Sequence, residues 1–302
     1  MKKYTVSIGI PAFNEEQNIG QLLSDLLRQR KLTYELQEIL VASDASTDST
    51  DFIVRQAKNA RVSLLRNDRR QGKAERENDI IARAKGDILV LLDADTVISD
   101  RVFIEEIIAP IVQGNADMSS GAIEPLPAIT HFEKILEVSM RLKTVLFESY
   151  RHGNNVNTCN GPVRAMTRRL YKKIRFELND GEDMYSYYAC RSMGGRFVYT
   201  RRTVIRYRLP ATLTDHLKQS FRYRTAQKHV SDYFDPEMVS REQKIPWFAY
   251  VMAAIRALPI ILTNPIRVTL YLAILAGIKL HLFDGLQMGD SWRVQSSKLV
   301  RV

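Results

Sequence analysis

The sequence predicts an α/β protein built on a mixed, mainly parallel sheet flanked by helices, with amphipathic or hydrophobic helices toward its C-terminus. Three observations carry that expectation. The chain opens with the short apolar runs "YTVSIGI", "LQEILVA" and "DILVLL", each followed by a turn and a helical pattern, an alternation that calls for right-handed crossovers between parallel strands. The run from Ile88 to Leu92 contains no polar residue, as a central strand buried on both faces requires. With 302 residues, 45% of them hydrophobic and 26% charged, the chain is long enough to bury a sizeable core.

The elements follow in order. A first helix is expected from about Glu15 to Arg28, with Leu22, Leu23, Leu26 and Leu27 inward and Gln21, Asp25 and Arg28 toward water. "RVSLL" supplies a further strand, and a polar helix from about Lys73 to Lys85 precedes the third apolar run. Beyond Asp100 the pattern predicts a helix near Val102 to Val112, a strand near Met118 to Ile123 and a long helix near His131 to Tyr150. The loop "RHGNNVNTCNGP", the segment "VRAMTRRLYKKI" and the acidic loop "ELNDGEDM" come next, the last leading into another helix. No repeat or low-complexity linker divides the chain, so one unit is expected over residues 1–235, with halves 1–100 and 101–235, and a helical appendage over 236–302.

Two cysteines, Cys159 and Cys190, argue against a disulfide framework and fit a reducing compartment. The opening apolar run breaks at Pro11 and turns polar at Asn14, so it does not fit a signal peptide and a folded, cytoplasmic N-terminus is expected. The net charge of +10 is uneven: residues 1–200 hold 28 Lys and Arg against 27 Asp and Glu, and residues 201–302 hold 16 against 7. The basic third also carries the longest apolar segments, which favours an anionic membrane surface as partner. No zinc-finger spacing, basic heptad region or aromatic ribonucleoprotein motif supports nucleic acid.

In open parallel sheets ligands sit beyond the carboxyl ends of the strands, so the loops "PAFNEEQN", "SDASTDST" and "DADT" should converge. Asp93 and Asp95, two residues apart on extended backbone, project to one side. Such a pair suits Mg²⁺ or a similar hard cation, which takes a few carboxylate oxygens and leaves other positions to water or phosphate. The alternative is that Asp95 caps the helix near Val102, or that both acids shape a turn.

The spacing of Pro11, Asn14 and Glu15, of Asp44, and of "QGKAERENDIIARAKGDILVLLDAD" resembles the nucleotide-binding half of family 2 glycosyltransferases, which share the Rossmann-like GT-A fold. The resemblance continues in order to about residue 225. "CNGPVRAMTRR" is similar to a segment that lines the acceptor end in hyaluronan and chitin synthase relatives. "NDGEDM" stands where the family has its acidic acceptor motif, and "QSFRY" resembles the Gln-x-x-Arg-Trp signature of membrane-associated members, a branch that includes ceramide glucosyltransferase. Four matches in order are far more specific than one.

The resemblance implies roles residue by residue. Asp44 would accept a hydrogen bond from the base, uracil for preference, with Pro11, Ala12, Asn14 and Glu15 walling base and ribose. Asp93 would hold ribose or sugar hydroxyls, Asp95 would ligate Mn²⁺ or Mg²⁺, and Lys73 and Arg222 would face the diphosphate. Asp183 would be the catalytic base of an inverting transfer, with Cys159, Asn160, Gly161, Glu182, Gln219 and Tyr223 on the acceptor side. Read without the family, Lys73 is a solvated surface charge, Arg222 a helix-face ion pair, and Asp180, Glu182 and Asp183 acids favoured at a helix N-terminus. Three positions depart from the family pattern: Tyr223 replaces Trp, Ser43 a second Asp, and Ala45 the usual Gly.

Two apolar stretches, Trp247 to Leu262 and Ile266 to Phe283, close the pattern. As helices they would measure about 24 Å and 27 Å against a hydrocarbon core of about 30 Å. The first is interrupted by Arg256 and Pro259 and the second holds Arg267, Lys279 and His281. Interfacial or re-entrant helices fit these lengths better than two spans, and a helical pair packed on the body or in an oligomer is the alternative. The sequence therefore leads to a metal-dependent inverting glycosyltransferase at the cytoplasmic membrane face, acting non-processively on a membrane-held acceptor such as a polyprenyl-linked saccharide or glycolipid. A sugar-nucleotide-forming nucleotidyltransferase would need a Gly-rich basic loop where "PAFNEEQNIG" is acidic. A non-catalytic membrane-surface scaffold is the third reading.

Overall fold

The computed structural model describes residues 3–177, 181–280 and 282. The first half runs β1 (Tyr4–Ala12), α1 (Ile19–Leu27), β2 (Tyr34–Asp44), α2 (Thr50–Gln56), β3 (Val62–Asn67), α3 (Lys73–Arg83) and β4 (Ile88–Leu92). Then follow β5 (Thr96–Ile98), α4 (Phe103–Val112), β6 (Met118–Pro125), α5 (His131–Ser149), two 3₁₀ turns at Arg151–Gly153 and Val156–Thr158, β7 (Val163–Thr167) and α6 (Arg168–Tyr171). The rest comprises α7 (Glu182–Ser192), β8 (Phe197–Tyr207), α8 (Leu213–Ser231), α9 (Pro236–Gln243), α10 (Trp247–Thr263) and α11 (Pro265–Lys279).

One sheet has the order β3-β2-β1-β4-β7-β6-β8-β5. The first four strands are parallel, as the alternation of apolar runs and helical patterns predicts. β7 is antiparallel to both β4 and β6, β8 is parallel to β6, and β5 is antiparallel to β8. Both faces of the sheet are covered. Along β4, Ile88, Val90 and Leu92 enter one core with α1 and α4, while Leu89 and Leu91 enter the other with α3 and α7. The period of two in an unbroken apolar run thus feeds two cores at once. Gly9 lets α3 lie close on β1, since a Cβ there would clash with Ile80 Cγ2.

Two differences from the sequence expectation have local causes. α1 begins at Ile19, not near Glu15, because residues 14–16 are held to the following loop. The Asn14 amide donates to Ser46 Oγ, that of Glu15 to Thr50 Oγ1 and that of Glu16 to Asp48. α9 belongs to the body: Met238 and Val239 enter the second core, and buried Glu242 accepts from Arg151 and from Tyr187 Oη. The packed body therefore runs past residue 235 to Glu242, and the apolar hairpin begins at Trp247.

α10 and α11 lean on α5 through a small cluster of Val138, Ile260 and Val268. α5 is firmly started by a reciprocal cap, in which the Glu133 amide donates to Thr130 Oγ1 and the Thr130 amide to Glu133 Oε2. Residues 178–180, which include Asp180, and the appendage beyond residue 282 lie outside the described residues, as do His281 and Phe283.

Candidate active site

Parallel β1, β2 and β4 end at one edge, where β1 separates strands added on either side. Ligands favour that switch point. Antiparallel β7 then brings the loop before it to the same edge, because Leu92 pairs with Val163 and the Asp93 amide donates to the Pro162 carbonyl at 3.1 Å. By the same alternation the ends of β6 and β8 arrive there with Ile123, Tyr207 and Arg208. The N-terminus of α7 and one face of α8 complete a cleft of about 700 Å³.

Every site residue named from the sequence lines this cleft. Pro11, Ala12, Asn14, Glu15 and Asp44 form one end, Lys73, Asp93 and Asp95 the middle, and Cys159, Asn160, Gly161, Glu182, Asp183, Gln219, Arg222 and Tyr223 the remainder. Sequence reasoning passed over Phe13, Arg70, Arg76 and Arg208, which line it too. Arg70 lies 4.0 Å from the Phe13 ring centre, and this cation–π pair rims the end where Asp44 lies. The dense "RNDRRQGKAERE" basic run was the signal available for Arg70 and Arg76.

At that end the loops lock one another. Asn14 Oδ1 accepts the Thr47 amide, and buried Asp44 accepts the Gln71 amide at 2.8 Å and the Gly72 amide at 2.9 Å. Arg76, itself buried, lies 3.4 Å from the same carboxylate. Asp44 therefore fixes the turn before α3 and retains further lone pairs for a ligand. Ala45 adopts φ +59°, the conformation for which Gly is the usual residue.

In the middle, Lys73 Nζ sits 2.6 Å from Asp93 Oδ1 and 3.9 Å from Glu77 Oε1. Burial acts against its ammonium, but Asp93, Glu182 and Glu77 outweigh it and raise its pKa. The reading of Lys73 as a solvated surface charge is thereby displaced. Burial, and then Asp93, push the Asp95 carboxyl up to about 6. Asp95 does not cap α4: the Val102 amide donates to Asp100 Oδ1 instead. Beneath lies a fully buried pair, with Arg164 donating to Glu77 and to Ser186 Oγ on α7. Burial raises the Glu77 carboxyl above its usual range, and Arg164 and Lys73 offset that only in part.

On the far side, Asn160 Nδ2 donates to the Gly121 carbonyl and the Cys159 thiol to the Asp183 carbonyl, which fixes the loop before β7 against α7. Burial, then Asp183, raise the Cys159 pKa, so the thiol stays protonated. Asp183 Oδ1 accepts the Met184 amide. A Cβ added to Gly161 would lie 3.7 Å from both Asp183 Oδ2 and Lys73 Nζ. A carboxylate and an ammonium thus face each other across a residue with no side chain. Among the described residues no group of three or more His, Cys, Asp or Glu side chains is set to hold a metal. The oxygen donors at Asp95 suit a hard cation that fills its remaining positions with water and ligand phosphate.

The family model for Glycosyl transferase family 2 matches residues 7–177. Over 97 residues the chain is 36% identical to the UDP-Glc:alpha-D-GlcNAc-diphosphoundecaprenol beta-1,3-glucosyltransferase WfgD of Escherichia coli, covering 32% of this chain and 37% of that protein. Over 96 residues it is 32% identical to the poly-beta-1,6-N-acetyl-D-glucosamine synthase of Staphylococcus epidermidis, covering 32% and 23%. The chain thus spans little more than a third of the length of relatives such as WfgD, at 37%. Among solved structures, the mannosyltransferase PcManGT of Pyrobaculum calidifontis with GDP-Man and Mn²⁺ aligns at TM-score 0.58 and 21% identity over 93% of this chain and 76% of that one. Glucosyl-3-phosphoglycerate synthase of Mycobacterium tuberculosis, with Mn²⁺, UDP-Glc and phosphoglyceric acid, aligns at TM-score 0.56 and 18% identity over 76% and 80%. At these identities the structural likeness concerns the fold.

Proposed function

The chain belongs to glycosyl transferase family 2, and we propose that it is an inverting, divalent-metal-dependent enzyme that moves a sugar from a nucleotide-sugar, a UDP-sugar for preference, to a hydroxyl of a membrane-held acceptor. The observation that carries this reading is the juxtaposition of Lys73 and Asp183 across Gly161. A cation for the leaving diphosphate and a carboxylate for the incoming hydroxyl then flank a space free of side chain, as a displacement at the anomeric carbon needs.

Asp183 takes the proton of the acceptor hydroxyl as its oxygen bonds to the anomeric carbon, and the glycosidic bond to the diphosphate breaks on the opposite face. Lys73, exchanging Asp93 for phosphate, and Arg222 meet the charge that develops on the diphosphate. Asp44 and the Pro11–Glu15 segment seat the nucleoside, and Asp93, released by Lys73, is free to accept from donor hydroxyls. Mn²⁺ or Mg²⁺ held at Asp95 would supply Lewis-acid neutralisation of the leaving diphosphate.

Mn²⁺ beside UDP-glucose or GDP-mannose in two proteins of this fold supports the donor class. The activity of WfgD on a diphosphoundecaprenol-linked sugar supports a polyprenyl-linked acceptor, and a glycolipid is the other acceptor that this reading, set at the cytoplasmic membrane face, admits. The test is to incubate the purified chain with pooled UDP- and GDP-sugars, Mn²⁺ and native lipid extract, and to weigh lipid products by mass spectrometry. A hexose or N-acetylhexosamine increment is expected. No increment with any donor, or pyrophosphate release from a sugar phosphate and a nucleoside triphosphate, overturns the reading.

A further inference from the structure

The geometry points to a second working surface: the α10–α11 hairpin lies flat in the interfacial layer of an anionic phospholipid bilayer, without crossing it. The hairpin is built inside out. Small residues at helical spacing, Ala249, Ala253 and Ala257, with Ile260, are the buried positions of α10. Large apolar side chains point away from the protein, with Trp247 77%, Leu262 75% and Ile266 75% exposed. Phe248, Ile255 and Leu272 are exposed as well. A contiguous apolar face of this kind on a protein surface marks a docking site.

Three features select a bilayer interface as the occupant. Pro236–Thr263 is long and apolar enough by composition to cross a membrane, but its first third is α9, held in the body by Glu242. What remains, α10 with 17 residues and α11 with 15, spans about 25 Å and about 22 Å, short of a hydrocarbon core of about 30 Å. Arg256, in the middle of α10, donates to Ser149 Oγ on α5, and Arg267 donates to Asn264 Oδ1 at the hairpin turn. Such placements suit guanidinium groups at headgroup level. From residue 243 to 280 there are four cationic residues, Lys244, Arg256, Arg267 and Lys279, and no Asp or Glu. That complements anionic headgroups and opposes face-to-face pairing with a second copy, which would set cation against cation.

α8 is the shared wall between this surface and the cleft. Arg222 and Tyr223 line the cleft, and the next residue, Arg224, donates to the Ile278 carbonyl of α11 at 3.3 Å. A saccharide carried on a lipid would then reach Asp183 without leaving the surface. This consequence rests on the membrane-held acceptor proposed above, whereas the docking itself does not.

The full chain, with Trp292→Phe so that Trp247 alone reports, is floated with phosphatidylcholine vesicles with and without phosphatidylglycerol, and UDP–Mn²⁺ binding is measured on the same samples. Flotation with the anionic vesicles, a blue shift of Trp247, and stronger quenching by lipids brominated near the headgroup than near the chain ends are expected. Leu262→Asp with Ile266→Asp should abolish flotation and leave UDP–Mn²⁺ binding unchanged. Lys244→Gln with Arg267→Gln should weaken partition about tenfold or more, on anionic vesicles alone. Equal flotation on neutral lipid, strongest quenching from the chain ends, or a chain that ignores vesicles and sediments as a dimer dissociated by Leu262→Asp each overturns the proposal. Flotation without UDP–Mn²⁺ binding would leave the docking standing and count against the donor assignment.

Discussion

Arg164 and Glu77 form an ion pair whose side chains are 0% and 1% exposed, directly beneath the floor of the cleft. The pair joins α3, which carries Lys73, to α7, which carries Asp183, because Arg164 also donates to Ser186. A buried pair contributes little net stability, but removing one partner leaves a charge without compensation. Arg164→Met should therefore cost about 3–5 kcal/mol in urea unfolding, and adding Glu77→Leu should restore most of it. Turnover in that restored double variant is expected to stay at least about tenfold low, since Lys73 has lost the Glu77 carboxylate beneath it and Ser186 its Arg164 donor. Full activity would reduce the pair to a fold element.

The carboxylates of Asp183 and Asp95 should fail differently. Asp183→Asn should lower turnover by about 10²-fold or more while UDP–Mn²⁺ affinity, read by calorimetry, stays near that of the parent chain. Asp95→Asn should remove the Mn²⁺ dependence of nucleotide binding along with turnover. Unchanged metal dependence in Asp95→Asn would move the cation to other ligands.

Ala45 holds the left-handed conformation at φ +59° between Asp44 and Ser46. A Cβ is strained there, and part of the gain from removing it is offset by the greater freedom of Gly in the unfolded chain. Ala45→Gly should raise stability by about 0.5–1 kcal/mol, visible as a higher melting midpoint with UDP–Mn²⁺ affinity unchanged. A lower midpoint would mean that the methyl group packs more usefully than its strain costs.

His216 is buried on α8 with its ring edge-on to Phe132. Burial, and then Lys143, lower its pKa from 6.5 to about 4. Between those values the unfolded chain binds a proton that the folded chain refuses, so stability falls as pH drops from 6.5 toward 4. The loss reaches about 3 kcal/mol at most. Urea titrations across this range should show a shallower acid loss for His216→Leu than for the parent chain. Parallel pH profiles would remove His216 from the acid response.

The parallel half was legible because its signals are local. β1, β2 and β4 each carry an apolar run, and the candidate site residues, from Pro11 to Glu15, Asp44, Asp93 and Asp95, stand at or just past their carboxyl ends. β7 was not legible as a strand: "VRAMT" includes an arginine, which pattern reasoning sends to solvent, yet Arg164 is fully buried because Glu77, 87 positions away, meets it. Nor could Asp44 be read as the anchor of the Gly72 turn, since its partners come from a loop 27 and 28 residues downstream.

By itself, then, the sequence determined the sheet class and the family, both of which depend on residue type and short-range order. Tertiary structure alone decided that antiparallel β7 delivers Gly161 to the edge of β4 and that Lys73 rests on Asp93. It also decided that α9 joins the body while α10 and α11 keep their small side chains inward and their large ones outward. Those outcomes turn on which distant surfaces meet, and on whether a charge finds its counterpart when it is taken out of water.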